Sequence, residues 1–291
     1  MKKAIIVLCG ILLFLCGCAV NAPGAQVAAT TLPVYDFTTQ ICEGTPVTVT
    51  RLITEQVSCL HDYSLNVRQV KAVEAADIVI LSGAGLEDFM EDLLEGKITV
   101  DASAGIDLLC AEASHEEEEH EYGHHHESDP HIWLDPNNAA VMAENICLGL
   151  SAQYPEYAPV FEKNSKKLQE ALAELYSYGT RQLQNLSCRE LITFHDGFQY
   201  FANAFDLTIL EAVEEESGSE ASAKELIHLI KLVREHGLPA VFTEKNGSVS
   251  AASILSRETG CRSLALDMGM AEGSYFDAMY HNIDAIKEAL Q

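Results

Sequence analysis

Residues 77–83 read DIVILSG, in which Ile78, Val79, Ile80 and Leu81 follow one another without a polar interruption. A strand on one face of an antiparallel sheet alternates apolar and polar side chains. An unbroken Val/Ile/Leu run marks a parallel strand covered on both faces. Working outward from it, LNVRQVKAVEAA (65–76) has helical spacing and PVTVTRLI (46–53) is rich in β-formers. Before these, VYDFTTQIC (34–42) reads as a helix ended by Gly44, and QVAATT (26–31) as a strand. Downstream, LEDFMEDLLEG (86–96) is an amphipathic helix with a glycine stop, and ITVDAS (98–103) is one more strand. This β-α-β-α-β-α-β order predicts a parallel sheet with helices on both faces.

The pattern recurs from residue 188. RELITF, LTILEAV, PAVFTE and RSLALD read as strands; GFQYFANAF, SAKELIHLIKLVREHG, SVSAASILSRETG and SYFDAMYHNIDAIKEALQ read as the helices between and after them. The fold class expected is therefore α/β, with two (β/α) lobes: residues 19–135 and residues 188–291. Residues 136–187 form the linking helices. Asp135-Pro136 is a helix start, with Asp as N-cap and Pro at the first helical position. From Tyr157 to Leu186 only Gly179 interrupts a helical pattern of roughly 30 residues, which predicts a rigid rod of roughly 45 Å between the lobes.

The N-terminus is a different kind of segment. Met1-Lys2-Lys3 precedes an apolar run, Ala4 to Leu15, too short to span a bilayer as a helix and suited to the core of a secretory signal. It ends in Leu15-Cys16-Gly17-Cys18, which resembles the lipobox of bacterial lipoproteins. Gly17 makes Cys18 the expected lipidated residue, with residues 1–18 as signal peptide and the mature chain anchored outside the bacterial cell membrane. The remaining cysteines, Cys42, Cys59, Cys110, Cys147, Cys188 and Cys261, contain no C-x-x-C pair. That removes a zinc ribbon and leaves disulfides or buried thiols open. With 18 basic against 44 acidic residues and a net charge of -26, nucleic acid is excluded as a partner.

Open α/β sheets bind ligands beyond the carboxyl ends of their strands. Four metal-ligating residue types stand at such places: His61 in VSCLHDYSL, His131 in DPHIWLDP, His195 in LITFHDGF and Asp267 in SLALDMG. A lone strand-end histidine is usually a hydrogen-bonded structural residue, and a strand-end aspartate a turn former. Four of them, two per lobe, would instead converge on the interlobe cleft as three imidazoles and a carboxylate, a tetrahedral set suited to Zn²⁺. Glu244, ending VFTE, is an outside candidate read as a structural cap.

DPHIWLDP, TFHDGFQYFA, LALDMG…EGSYFDAMYHNIDAIKEAL and LHDYSL together resemble the zinc- and manganese-specific substrate-binding lipoproteins of ABC importers over nearly the whole mature chain. The resemblance implies two (β/α) lobes joined by one long rigid helix, and His61, His131, His195 and Asp267 as metal ligands. It departs from the family's usual form in having Asp62, Ser64 and Leu65 after His61, and Met268 where a proline usually follows the last aspartate. Manganese members carry a carboxylate at the position of His195, and imidazole favours zinc. Zinc members also often carry a segment like residues 112–127, where His115, His120, His124, His125 and His126 lie among glutamates. That segment is read as a secondary zinc collector, with a solvated charged insertion as the alternative.

The function implied is capture of Zn²⁺ and its delivery to the permease and ATPase of an ABC importer, by a lipid-anchored monomer that is not an enzyme. Mn²⁺ or mixed-metal binding, or an adhesin role, is the runner-up. A zinc hydrolase ranks last, because a closed four-ligand set leaves no position for catalytic water.

Overall fold

The computed structural model describes residues 26–55, 60, 63–110, 128–213 and 221–291. The DIVILSG run is an inner strand. β1 (Gln26–Ala29), β2 (Thr48–Arg51), β3 (Ile78–Leu81) and β4 (Thr99–Asp101) form a parallel sheet in the order β2-β1-β3-β4. Ile78, Val79 and Ile80 on β3 are fully buried, as a strand covered on both faces requires. Helices α1 (Leu32–Cys42) and α2 (Val67–Ala75) follow β1 and β2. A capping box between Asn66 and Gln69 starts α2.

The segment after β3 is less helical than its spacing predicts. A 3-10 turn over Asp88–Met90 leads into α3 (Glu91–Leu94), a single turn. The cause lies in Glu87, whose side chain points back to the end of the strand. It accepts the Ser82 and Gly83 backbone N–H groups at 2.7 and 3.0 Å, and the Thr30 hydroxyl. This knot sits where β1 and β3 end, the switch point at which chain order reverses in the sheet.

Two helices follow the first sheet. Asp135 caps α4 (Pro136–Gln153) by accepting the Asn137 N–H at 2.7 Å, as the Asp-Pro signal predicts. Helix α5 (Ala158–Gln182) has 25 residues and a length of about 37 Å, shorter than expected because the helix caps at Leu183. Gly179 does not interrupt it. A Cβ there would collide with the Phe205 ring, so glycine lets the rod lie directly on the second lobe. Near its other end, Asn164 donates to the Ile41 and Glu43 carbonyls at the end of α1. One helix thus touches both lobes.

The second sheet repeats the first. β5 (Glu190–Thr193), β6 (Thr208–Ala212), β7 (Ala240–Glu244) and β8 (Arg262–Leu266) are parallel in the order β6-β5-β7-β8. They alternate with α6 (Gln199–Ala204), α7 (Ala223–His236) and α8 (Ser250–Thr259), and α9 (Tyr275–Leu290) closes the chain. A single apolar core runs through both lobes, from Val27 and Phe37 through Trp133 and Leu172 to Phe242 and Ile286; a smaller one lies under α7 and α8. Among the described residues no helix is long and apolar enough to cross a membrane. None of the five described cysteines (Cys42, Cys110, Cys147, Cys188 and Cys261) is in a disulfide.

Burial raises the Glu87 carboxyl to about 7, against 4.5 for a free side chain, and outweighs the three donors that favour its anion. The folded state therefore holds this proton to higher pH than the unfolded chain does. Its contribution to stability is intact below 4.5 and declines as pH rises through 7. Glu87→Gln removes the titrating group; its one oxygen can still accept the Ser82 N–H and the Thr30 hydroxyl, while its amide NH2 faces the Gly83 N–H. Thermal melts between pH 4.5 and 7.5 are expected to show a flatter decline in Tm for this variant; an identical slope would mean Glu87 does not titrate there.

Candidate metal centre

The segment before α4 carries the first histidine. His131 precedes a 3-10 turn over Ile132–Leu134 and is nearly buried. Asp129 Oδ1 accepts both the His131 backbone N–H at 2.9 Å and its Nδ1–H at 2.8 Å. That second bond assigns the tautomer: the proton is on Nδ1, and the Nε2 lone pair faces outward from the aspartate.

His195 meets it from the other lobe. It lies two residues beyond β5, one of the two strands at the switch point of the second sheet. Its Nε2 is 3.4 Å from Nε2 of His131, with the two rings nearly perpendicular at 83°. Zinc–nitrogen bonds of about 2.0–2.1 Å at a tetrahedral angle place two ligating nitrogens about 3.3–3.4 Å apart. The spacing between the two rings matches that edge. Gly197 permits the approach, since a Cβ there would stand 2.8 Å from the His195 ring and 2.9 Å from Nδ1 of His131.

The neighbouring switch strand, β7, ends in Glu244, whose Oε2 is 3.7 Å from Nδ1 of His195. Glu244 is buried, and its carboxylate lies within ion-pair distance of the imidazole. Sequence spacing had no means of pairing it with His195, because the two are brought together only by β5–β7 adjacency.

Asp267 directly follows β8 and is buried, with its backbone locked by reciprocal bonds to the Asn282 side chain at 2.7 and 2.8 Å. Its Oδ1 accepts the Gly269 N–H at 2.9 Å and its Oδ2 accepts Lys245 Nζ at 2.8 Å. The adjacent Met268 brings its Cε within 2.8 Å of the same virtual Gly197 Cβ that touches both histidine rings. The residue after Asp267 thus reaches the histidine pair, while the Asp267 carboxylate itself is held by a lysine.

Of the four expected ligands, the structure brings His131 and His195 together; Asp267 is tied to the His131 segment through its neighbour Met268, whose carbonyl accepts the Trp133 indole N–H. His61 lies outside the described residues, as do Cys18 and the histidines of segment 112–127. Among the described residues no three His, Cys, Asp or Glu side chains form a metal-holding group by themselves. The base of the histidine-rich segment is well defined. Cys110 and Ser128 form an antiparallel bridge, and the Asp129 N–H donates to the Leu109 carbonyl at 2.9 Å. Tyr200 clasps both sides, its hydroxyl accepting the Leu109 N–H and donating to the Asp129 carbonyl. Residues 110 and 128, on either side of the segment, are therefore paired three residues before His131.

The fold of two parallel sheets with helices is shared with known proteins. Residues 27–289 match the family model described as zinc-uptake complex component A, periplasmic. The chain belongs to this family. It is 31% identical to the zinc-binding lipoprotein AdcA of Streptococcus pneumoniae serotype 4, over 97% of this chain and 59% of that protein. This chain thus spans about three fifths of the length of that curated relative. The crystal structure of Zn(II)-bound AdcA from S. pneumoniae superimposes with a TM-score of 0.78 at 27% identity, over 92% of this chain and 58% of that one. The metal-dependent lipoprotein YcdH from Bacillus subtilis gives a TM-score of 0.77 at 26% identity, covering 91% of this chain and 99% of its own. The family match and these neighbours agree with the α/β fold of two parallel sheets and with the resemblance drawn from the sequence motifs.

The Asp129–His131 bond generates a prediction. Asp129→Asn keeps a hydrogen-bond acceptor but removes the charge that raises the basicity of Nε2. Zinc affinity, measured by competition with a fluorescent chelator, is expected to fall about tenfold, the lower end for loss of such a supporting partner. Unchanged affinity would show that His131 is not a ligand or that the aspartate only shapes the loop.

Proposed function

We propose that this chain captures Zn²⁺ outside the cell and delivers it to the permease and ATPase of an ABC importer. The observation that carries this reading is the 3.4 Å separation of the His131 and His195 Nε2 atoms. The ligand set proposed is His61, His131, His195 and Asp267, three imidazoles and one carboxylate, which selects zinc over the more oxygen-seeking manganese. A relative named as a zinc-binding lipoprotein supports both the metal and anchoring through Cys18. The domain division proposed is a leader over 1–18, lobes over 19–135 and 188–291, and linking helices over 136–187.

The chain acts as a carrier and not as a hydrolase, because Asp267 would occupy the fourth position that a catalytic zinc keeps open for water. One H-E-x-x-H pattern does occur, from His120 to His124 in the histidine-rich segment. Such a pattern makes a hydrolytic site only on a helix that brings both histidines to one face. The same segment serves better as a low-affinity collector, since its base is tied two residues from His131.

Two measurements test this function. His195→Ala is expected to weaken zinc binding at least a hundredfold in chelator competition, and His195→Glu to shift preference toward manganese; an unweakened alanine variant would remove this site. Deleting residues 112–127 is expected to leave one tight zinc equivalent in calorimetry and to abolish additional weak ones, which in the intact chain also vanish near pH 5 as imidazoles protonate. Loss of the tight equivalent on deletion would place a ligand inside the segment.

A further inference from the structure

Asp129 backs His131 and Glu244 faces His195, whereas Asp267 is held by a cation, Lys245. The Lys245 side chain is about half exposed, at 53%, and reaches in from the residue after β7 to a carboxylate that is 9% exposed. Its Nζ sits 2.8 Å from Oδ2, and the second oxygen, Oδ1, is already used by the Gly269 N–H. A metal ion drawn to Oδ2 therefore meets an ammonium group already bound to that oxygen. On the ligand set proposed above, we infer that Lys245 is a tethered exchange cation: it occupies Asp267 while the cleft is empty and is displaced when metal binds.

The physical case rests on burial and charge. A buried carboxylate without a partner is costly, and removing one member of a buried pair leaves that cost unpaid. An empty site whose aspartate lost its metal would carry that penalty. Lys245 removes it, because the ammonium swings onto Oδ2 as the divalent ion departs and the local charge never stands uncompensated. Metal entry runs the same exchange in reverse, with the lysine head returning to water while its backbone stays fixed by its N–H bond to the Leu266 carbonyl. The exchange weakens binding and speeds release, which suits a carrier that must surrender its cargo. The exposed partner keeps the pair modest, on the order of 1 kcal/mol. That corresponds to a fivefold to tenfold effect on affinity, small enough to leave binding tight.

The test is a double-mutant cycle on the full chain, read as zinc affinity by chelator competition and as the zinc release rate by stopped-flow chelator capture. Lys245→Met is expected to bind zinc five- to tenfold more tightly and to release it correspondingly more slowly, while Lys245→Arg stays near the wild type. In an Asp267→Asn background, the Lys245→Met change is expected to have no effect. Equal affinity for Lys245→Met and wild type, or a tightening that persists with Asp267→Asn, would overturn the exchange role. If Asp267→Asn alone binds zinc as tightly as the wild type, the ligand assignment of Asp267 fails instead, and the inference falls with it.

Discussion

The contact between two imidazoles depends on how rigidly the lobes are joined, and that joint is built around Trp133. Its indole is fully buried and donates from Nε1 to the Met268 carbonyl at 2.8 Å, linking the segment of His131 to the loop of Asp267. Tyr275 completes the clamp. Its hydroxyl donates to the Trp133 carbonyl at 2.9 Å, its N–H to Asp36 on α1 at 2.7 Å, and its ring meets Phe37 edge-on at 4.9 Å. Arg51, at the end of β2, reaches the Met270 carbonyl. A fully buried tryptophan removes about 150–250 Å² from water, an upper estimate of about 4–6 kcal/mol at 25 cal/mol/Å². Hinge motion of one lobe against the other would have to expose this cluster, so the two halves behave as one core.

Rigidity shapes the chemistry that follows. With the lobes fixed, the His131–His195 spacing is preset and metal need not draw the rings together, which reduces the ordering cost of binding. The adjustable parts are then side chains. Lys245, half in solvent and bonded to a buried carboxylate, can move without disturbing the core.

The two sheets use equivalent positions differently. At the first switch point, Glu87 folds inward and is consumed by Thr30, Ser82 and Gly83, making a buried structural knot. At the second, β5 and β7 present His195 and Glu244 toward the other lobe. The same strand order, β2-β1-β3-β4 and β6-β5-β7-β8, thus supports a structural knot in one half and the proposed metal site in the other.

The α/β class, the parallel strands, the Asp135 cap and the family resemblance were legible in the sequence, because each rests on local signals: apolar runs, cap residues and short motifs. Positions of His131, His195 and Asp267 at strand ends and a helix start were legible for the same reason. The length of α5 and the collapse of the segment after β3 were not, since Leu183 and Glu87 answer to tertiary partners that spacing does not reveal. Nor were the Asp129 and Glu244 carboxylates behind the two imidazoles, or the Lys245–Asp267 pair. These depend on which strands lie side by side and on how two lobes are clamped, and a linear pattern of hydrophobicity carries no information about distances between residues separated by a whole lobe.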